Sequence, residues 1–256
     1  ISRGLVGSEM CIRDRFSALA EGRADLGMSS RRINHDEIER LAPAGPMNRA
    51  GHELVLALDA VAVIVHPNNP LRSLSVAQVR DIFSGRVSNW DNVNGLKQAV
   101  QIHARDGQSG TFDVFRRLAL KGRTLSSRAA RYESSSELVA AVAADPNAIG
   151  FVSLAYVKGV KALAIQEADV AVDATPFQVA TEDFPFARRL YLYVPDHSRS
   201  LLVDSLIDFA LGADGQELAK TTGYVSQNVF AANVKPQENT PEAVSYTHLT
   251  LPTNGL

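Results

Sequence analysis

The chain has 256 residues, 45% of them apolar and 21% charged, with a formal net charge of −2. That length can bury the core of one large domain or of two lobes, and the composition is that of an ordinary globular chain. A near-neutral charge without a Lys/Arg cluster argues against nucleic acid as a partner, and no apolar run is long enough to span a bilayer. In chain order, residues 16–22 read as the end of a helix and residues 24–28 as a short strand. The strand runs into the polar turn Ser29-Ser30-Arg31-Arg32. In open α/β sheets ligands bind just beyond such strand ends, although turn chemistry alone also accounts for the serines. Asn34-His35-Asp36-Glu37 has the spacing of a capping box, with Ile38 and Leu41 on the face that follows.

Residues 52–66 form the longest apolar passage. They read as two buried strand stretches joined near Asp59-Ala60, or as one long bent strand. A second capping box, Ser75-Val76-Ala77-Gln78, opens a helix with Val79, Ile82 and Phe83 inward and Gly85 as its stop. Trp90 reads as a packing anchor. Further on, Ser134 to Glu137 starts a helix, residues 148–152 are a buried strand, and a second strand is expected around 162–165. Residues 175–185 read as loop, 190–194 as an alternating strand, 201–211 as an amphipathic helix stopped at Gly212, and 214–222 as another helix. Periodicity is lost over 231–242, which reads as a linker. Strands alternating with helices argue for α/β layering with largely parallel sheets.

The most informative stretch is Ala104 to Arg117. A strand-like alternation over 99–103 precedes it, and Phe112, Phe115, Leu118 and Ala119 recur after it at helical spacing. It therefore reads as strand, glycine-containing loop and helix, with Ser109 as the N-cap. The first amides of a helix have no partner within it, and the aligned peptide dipoles make that end positive, so a small tetrahedral anion fits there. Gly110 lets the backbone approach such a ligand, Ser109 and Thr111 add hydroxyls, and Arg105 offers a two-pronged guanidinium. A plain capped loop beside a surface arginine is the bland alternative. The segment is not a Walker loop, because the Gly-Lys-Ser/Thr ending is missing, and Gly-x-Ser-x-Gly is absent as well. Six scattered histidines without His-Glu-x-x-His or Cys-x-x-Cys indicate no metal site, and no histidine is marked out as a base for Ser109.

Residues 1–15 and 244–256 both resemble translated sequencing-adapter DNA. They are expected to be foreign to the domain, which makes the single cysteine, Cys11, non-native and leaves an N-terminal truncation that would include any signal peptide.

Four stretches together, namely Gly22-Arg23-Ala24-Asp25-Leu26-Gly27-Met28-Ser29-Ser30-Arg31 and residues 58–90, 105–115 and 145–156, resemble one family. It is the phosphate-binding protein of ABC-type phosphate importers, the PstS-type branch of the periplasmic-binding-protein superfamily. The Arg105…Ser109-Gly110-Thr111 spacing is the most specific part; Ile149-Gly150-Phe151 and Ser84-Gly85…Asn89-Trp90 are shared more widely. The resemblance implies an α/β, two-lobed fold, N-terminally truncated here. Lobe one would comprise residues 16–66 and 190–230, lobe two 67–189, and a linker 231–243, with hinge crossovers near 63–66 and 190–194. It implies a periplasmic, non-enzymatic protein without cofactor or metal, which encloses phosphate fully desolvated and delivers it to an ABC transporter permease. Carried over residue by residue, Arg105, Ser109, Gly110 and Thr111 are the lobe-two contacts, with Ser29 and Ser30 on lobe one. Ser30 stands where some members carry an aspartate that accepts the phosphate's own proton, which weakens the expected discrimination against sulfate. Sulfate, molybdate and tungstate are the alternative ligands. An envelope sensor or scaffold, joined to peptidoglycan through an OmpA-like domain absent here, is the alternative role.

Overall fold

The computed structural model describes residues 4–6, 12–94 and 97–227. Cys11, the expected linker and residues 244–256 lie outside them. The first half of the chain runs β1 (Gly4–Val6), α1 (Ile12–Ala20), β2 (Ala24–Ser29), α2 (His35–Leu41), β3 (Glu53–Val65), β4 (Ser73–Ser75), α3 (Val76–Phe83), α4 (Asp91–Asn94), β5 (Gln101–Arg105) and α5 (Gly110–Phe115). The second half runs β6 (Ala130–Tyr132), α6 (Ser135–Ala144), β7 (Ala148–Ser153), β8 (Lys161–Ala162), β9 (Ala164–Glu167), β10 (Val170–Val172), α7 (Pro176–Ala180), β11 (Ala187–Tyr193), α8 (Leu201–Leu211) and α9 (Ala213–Thr221). β1, which falls within the first fifteen residues, pairs in parallel with β2.

Helix starts follow local chemistry. Asn34 caps α2 by accepting from the Glu37 amide at 2.9 Å, and Glu37 returns the bond to the Asn34 amide at 2.9 Å. Ser75 and Gln78 repeat the exchange at α3, while Ser134 and Ser200 cap α6 and α8. Residues 175–185, expected as loop, contain α7. Thr175 caps it and Pro176 sits at its first position, where a missing N–H costs nothing.

The large sheet has the order β1-β2-β11-β3-β7-β5-β6, with β8 also on β3; β10-β9-β4 form a smaller sheet. It is α/β but not largely parallel. β3 lies antiparallel to both β11 and β7, because the chain returns along it twice instead of crossing over in the βαβ manner. β3 is one continuous strand that changes partner midway: Ala60 pairs with Ala187 of β11, and Val61 with Ser153 of β7. It thus joins the half of the sheet built from the chain's beginning and end to the half built from its middle. The expected crossover near 63–66 falls at the end of β3, which closes at Val65, a few residues beyond this change. The strand expected over 162–165 is broken at Leu163, whose amide bonds Val63 O, so that β8 sits on β3 and β9 on β4.

From Ala57 to Val65 every residue of β3 is buried. Each large aliphatic side chain there contributes about 1.5–3 kcal/mol of burial. α5 is pinned by an aromatic cluster: the Phe115 and Phe151 rings stack at 3.9 Å, and Phe83 meets Phe115 edge-on at 4.8 Å. Trp90 is fully buried and its indole N–H donates to Asn147 O at 3.0 Å. α6 packs directly on β7, where a Cβ on Gly150 would lie 2.8 Å from Leu138 Cδ2. After Phe115 the helix widens into a π-helical turn, Arg116–Leu120. The wider turn brings Ala119 and Leu120 fully inside and leaves Leu118 half-exposed, so the inward stripe departs from simple 3.6 spacing.

Candidate functional site

The loop after β5 folds on itself as its residue types dictate. Asp106 accepts from the amides of Gln108 and Ser109, at 3.1 and 2.8 Å, which closes the turn. Ser109 caps α5, its hydroxyl oxygen accepting from the Phe112 amide at 3.4 Å, while its carbonyl takes the Asp113 amide at 3.0 Å. The amides of Gly110 and Thr111 find no acceptor among the described residues.

Arg105, at the end of β5, is held by neutral groups. Its Nε–H donates to Tyr132 O at 3.2 Å, Nη1 to Ser135 Oγ at 2.5 Å and Nη2 to Glu133 O at 2.5 Å. No carboxylate lies within ion-pair distance of it among the described residues. Burial pushes its pKa down; nearby Asp106 and Tyr156 counter that, and Arg188 adds to it.

The two serines of the β2 turn part company. Ser29 is buried and its hydroxyl donates to Arg31 O at 2.7 Å, so it shapes the turn. Ser30 Oγ is buried and has no hydrogen-bond partner. It faces α5 at close range: a Cβ built on Gly110 would lie 2.7 Å from it. A buried hydroxyl left unpaired costs about 1–3 kcal/mol, so an unsatisfied one beside two unsatisfied amides marks a place for a polar ligand. Ser30, Gly110 and Thr111 are thus brought together, whereas Arg105 is held on residues 132–135 beside β5 and does not line the cleft next to Ser30.

Sequence reading missed a buried ion pair at this point. Asp59, fully buried in β3, is the register partner of Arg188 in β11. Asp59 Oδ2 accepts from Arg188 Nε at 2.9 Å and Nη2 at 2.5 Å, and Oδ1 accepts from Ser153 Oγ at 2.9 Å. Arg188 also donates to Gly110 O and Thr111 Oγ1, each at 3.3 Å. The available signal was Asp59 itself, the one charge in the run from Leu54 to Val65: a carboxylate costs several kcal/mol to bury unless a cation accompanies it. Nothing in the sequence said which cation.

A cleft of about 450 Å³ opens beside Ser30 and Arg188, lined by Arg31, Arg32, Arg117 and Arg189 together with Glu167, Glu182 and Asp183. Much of this positive charge is matched. Arg31 grips both oxygens of Glu37, at 2.8 and 2.6 Å, and reaches Asp113 of α5 at 3.5 Å; the Glu37 hydrogen bond keeps its pKa above the usual arginine value despite burial. Arg32 pairs with Glu53 and Arg189 with Glu182. The cluster lies where β3 changes neighbours, the kind of switch point at which open α/β sheets bind ligands. The described residues contain no group of His, Cys, Asp and Glu able to hold a metal ion, and no helix among them is long and apolar enough to cross a membrane.

Residues 13–214 match the family model described as a PBP superfamily domain. The phosphate-binding protein PstS of Pseudomonas aeruginosa is 28% identical over 230 residues, covering 81% of this chain and 69% of that protein. Protein SphX of Synechococcus elongatus is 28% identical over 223 residues, covering 82% of this chain and 65% of SphX. Among solved structures, an ABC-type phosphate transport receptor from Vibrio cholerae superposes with a TM-score of 0.71 at 26% identity, covering 86% of this chain and 85% of that one. A phosphate-bound Clostridium perfringens structure, assigned to a phosphate ABC transporter as its substrate-binding protein, gives 0.70 at 26% identity over 83% of each chain. The chain belongs to the PBP superfamily, and within it resembles the PstS-type phosphate-binding proteins.

Proposed function

We propose that this chain binds inorganic phosphate between the Ser30 turn and the start of α5, for delivery to an ABC-type importer. The observation that carries the reading is the unsatisfied Ser30 hydroxyl set against Gly110, beside two amides that also lack acceptors. Such a site is rich in donors and wants a small ligand rich in acceptor oxygens. Arg105, with no carboxylate touching it, supplies the uncompensated charge. Thr111 adds a hydroxyl, and Ser109 shapes the helix start. Ser29 is read as a turn residue and not as a ligand, because its hydroxyl is committed to Arg31.

The reading is that of a binding protein. Ser109 is placed as a cap, its oxygen accepting from Phe112, and not as a nucleophile poised beside a base. A periplasmic location and a membrane permease as the recipient of the anion belong to the same proposal; the likeness to an ABC-type phosphate transport receptor supports them. The test is calorimetric titration of the chain with phosphate, repeated in competition with sulfate, molybdate and tungstate from pH 6 to 8.5, about the second phosphate ionisation. The expected result is saturable phosphate binding that sulfate displaces only in excess. Tighter sulfate or molybdate binding, or no phosphate binding, overturns the proposal.

A further inference from the structure

We propose that Arg188 is a second anion-binding arginine of this site, and that Asp59 sets how much of its charge the anion feels. The assignment rests on the phosphate reading above. Arg188 is nearly buried and sits between the sheet and the start of α5, lining the cleft together with Ser30. A guanidinium has five N–H donors. On Arg188, Nε–H and one Nη2–H go to Asp59, the other Nη2–H goes to Thr111 Oγ1, and one Nη1–H goes to Gly110 O. The second Nη1–H has no acceptor among the described residues. Nη1 lies 3.3 Å from Gly110 O, and the unpartnered Ser30 Oγ faces the Cβ position of the same glycine, so donors from distant parts of the chain flank Gly110 and line one cleft.

The alternative is a clamp that only stitches β3 to β11. Charge separates the two readings. In a clamp both partners matter alike, and breaking either harms binding only by loosening the fold. If Arg188 contacts the anion, its partner opposes the ligand: Asp59 is a fixed negative charge just behind the guanidinium, and its removal strengthens attraction in this poorly solvated place. The two halves of one ion pair then shift affinity in opposite directions.

Asp59→Asn is nearly isosteric. Its carbonyl oxygen can keep the Arg188 bonds and its amide can donate to Ser153 Oγ. The double variant Asp59→Asn/Arg188→Gln removes the arginine without leaving a buried carboxylate alone. Inorganic phosphate is titrated calorimetrically into the wild type and both variants at pH 7, with circular dichroism to check folding. Asp59→Asn is expected to bind at least as tightly as wild type, and the double variant more than tenfold more weakly than Asp59→Asn. Weaker binding by Asp59→Asn, or a double variant within tenfold of it, overturns the assignment. Should the double variant not fold, Arg188→Lys takes its place, since it keeps a cation against Asp59 but loses the planar fork. A loss above fivefold then supports the assignment and a smaller one overturns it. Wild-type chain that binds no phosphate removes the phosphate reading itself, whereas wild-type binding untouched by these changes removes Arg188 alone.

Discussion

Arg105, at the end of β5, and Arg188, against the start of α5, are held in opposite ways. Arg105 rests on Tyr132 O, Glu133 O and Ser135 Oγ, all neutral, and keeps its whole charge. Arg188 rests on Asp59, whose carboxylate cancels most of its charge at 2.5–2.9 Å. The first arrangement suits attraction: under the proposed function an entering anion would complete an ion pair that the fold has left open. The second suits placement: a guanidinium fixed by an inflexible carboxylate holds its remaining donors in position and adds little net field. A site built from one of each can attract a multivalent anion without exposing two bare cations to one another in its absence. Burial pushes the Arg105 pKa down and Arg188 lowers it further; that second effect is the repulsion that another uncompensated charge would enlarge.

The largest expected effect breaks the compensated arginine. Asp59→Ala leaves Arg188 buried and unpaired, which should lower folding stability by about 3–5 kcal/mol. Urea unfolding measures the loss, and added phosphate should restore part of it by supplying a new negative partner. A loss below about 1 kcal/mol would mean that Arg188 escapes to solvent and that the contrast with Arg105 is unreal. Next comes Arg105→Ala, which should weaken phosphate binding by about 2–5 kcal/mol. Its cost to stability should be smaller, because the released acceptors are all neutral and Glu133 is exposed, with only Ser135 left buried. Calorimetry beside urea unfolding separates the two quantities, and an affinity loss under tenfold would remove Arg105 as a ligand.

Gly110→Ala tests the gap between Ser30 and the start of α5, which Arg188 flanks. The new methyl would stand 2.7 Å from Ser30 Oγ, so the turn must shift and phosphate affinity should fall by about 1–3 kcal/mol with the fold retained. Pairing it with Ser30→Ala, which clears the obstructing oxygen, should recover part of the space but not the lost hydroxyl contact. The smallest effect concerns His103, two residues before Arg105. Burial pushes its pKa below the usual histidine value, with Asp145 opposing, and its ring stacks on Tyr132 with Nδ1 at 2.9 Å from the phenol oxygen. The unfolded chain therefore binds the proton more readily. The contribution of His103 is complete above about pH 6.5 and is lost as pH falls through the lowered folded value. His103→Gln should flatten the pH dependence of the melting temperature on the acidic side, and an unchanged slope would show that His103 does not carry it.

Local patterns in the sequence were enough to mark several of the caps and the strand–loop–helix turn after β5. Asn34, Ser75, Ser109 and Ser134 each cap a helix by bonding an amide within three residues, so no distant partner was needed to identify them. The loop from Arg105 to Thr111 was legible for the same reason, since Asp106 and Ser109 close it with neighbours along the chain. Long-range encounters were not. Ser29 and Ser30 look equivalent in the chain, yet one bonds its own turn and the other is left facing Gly110, eighty residues away. Asp59 signalled a buried cation without naming it, because Arg188 lies 129 positions along and any of several arginines could have served. Only the antiparallel pairing of β11 on β3, at a register that sets Arg188 opposite Asp59, made the choice. Hydrogen bonds between near neighbours are fixed by residue type, whereas a register between distant strands is selected by the burial of the whole sheet, and that selection exists only in three dimensions.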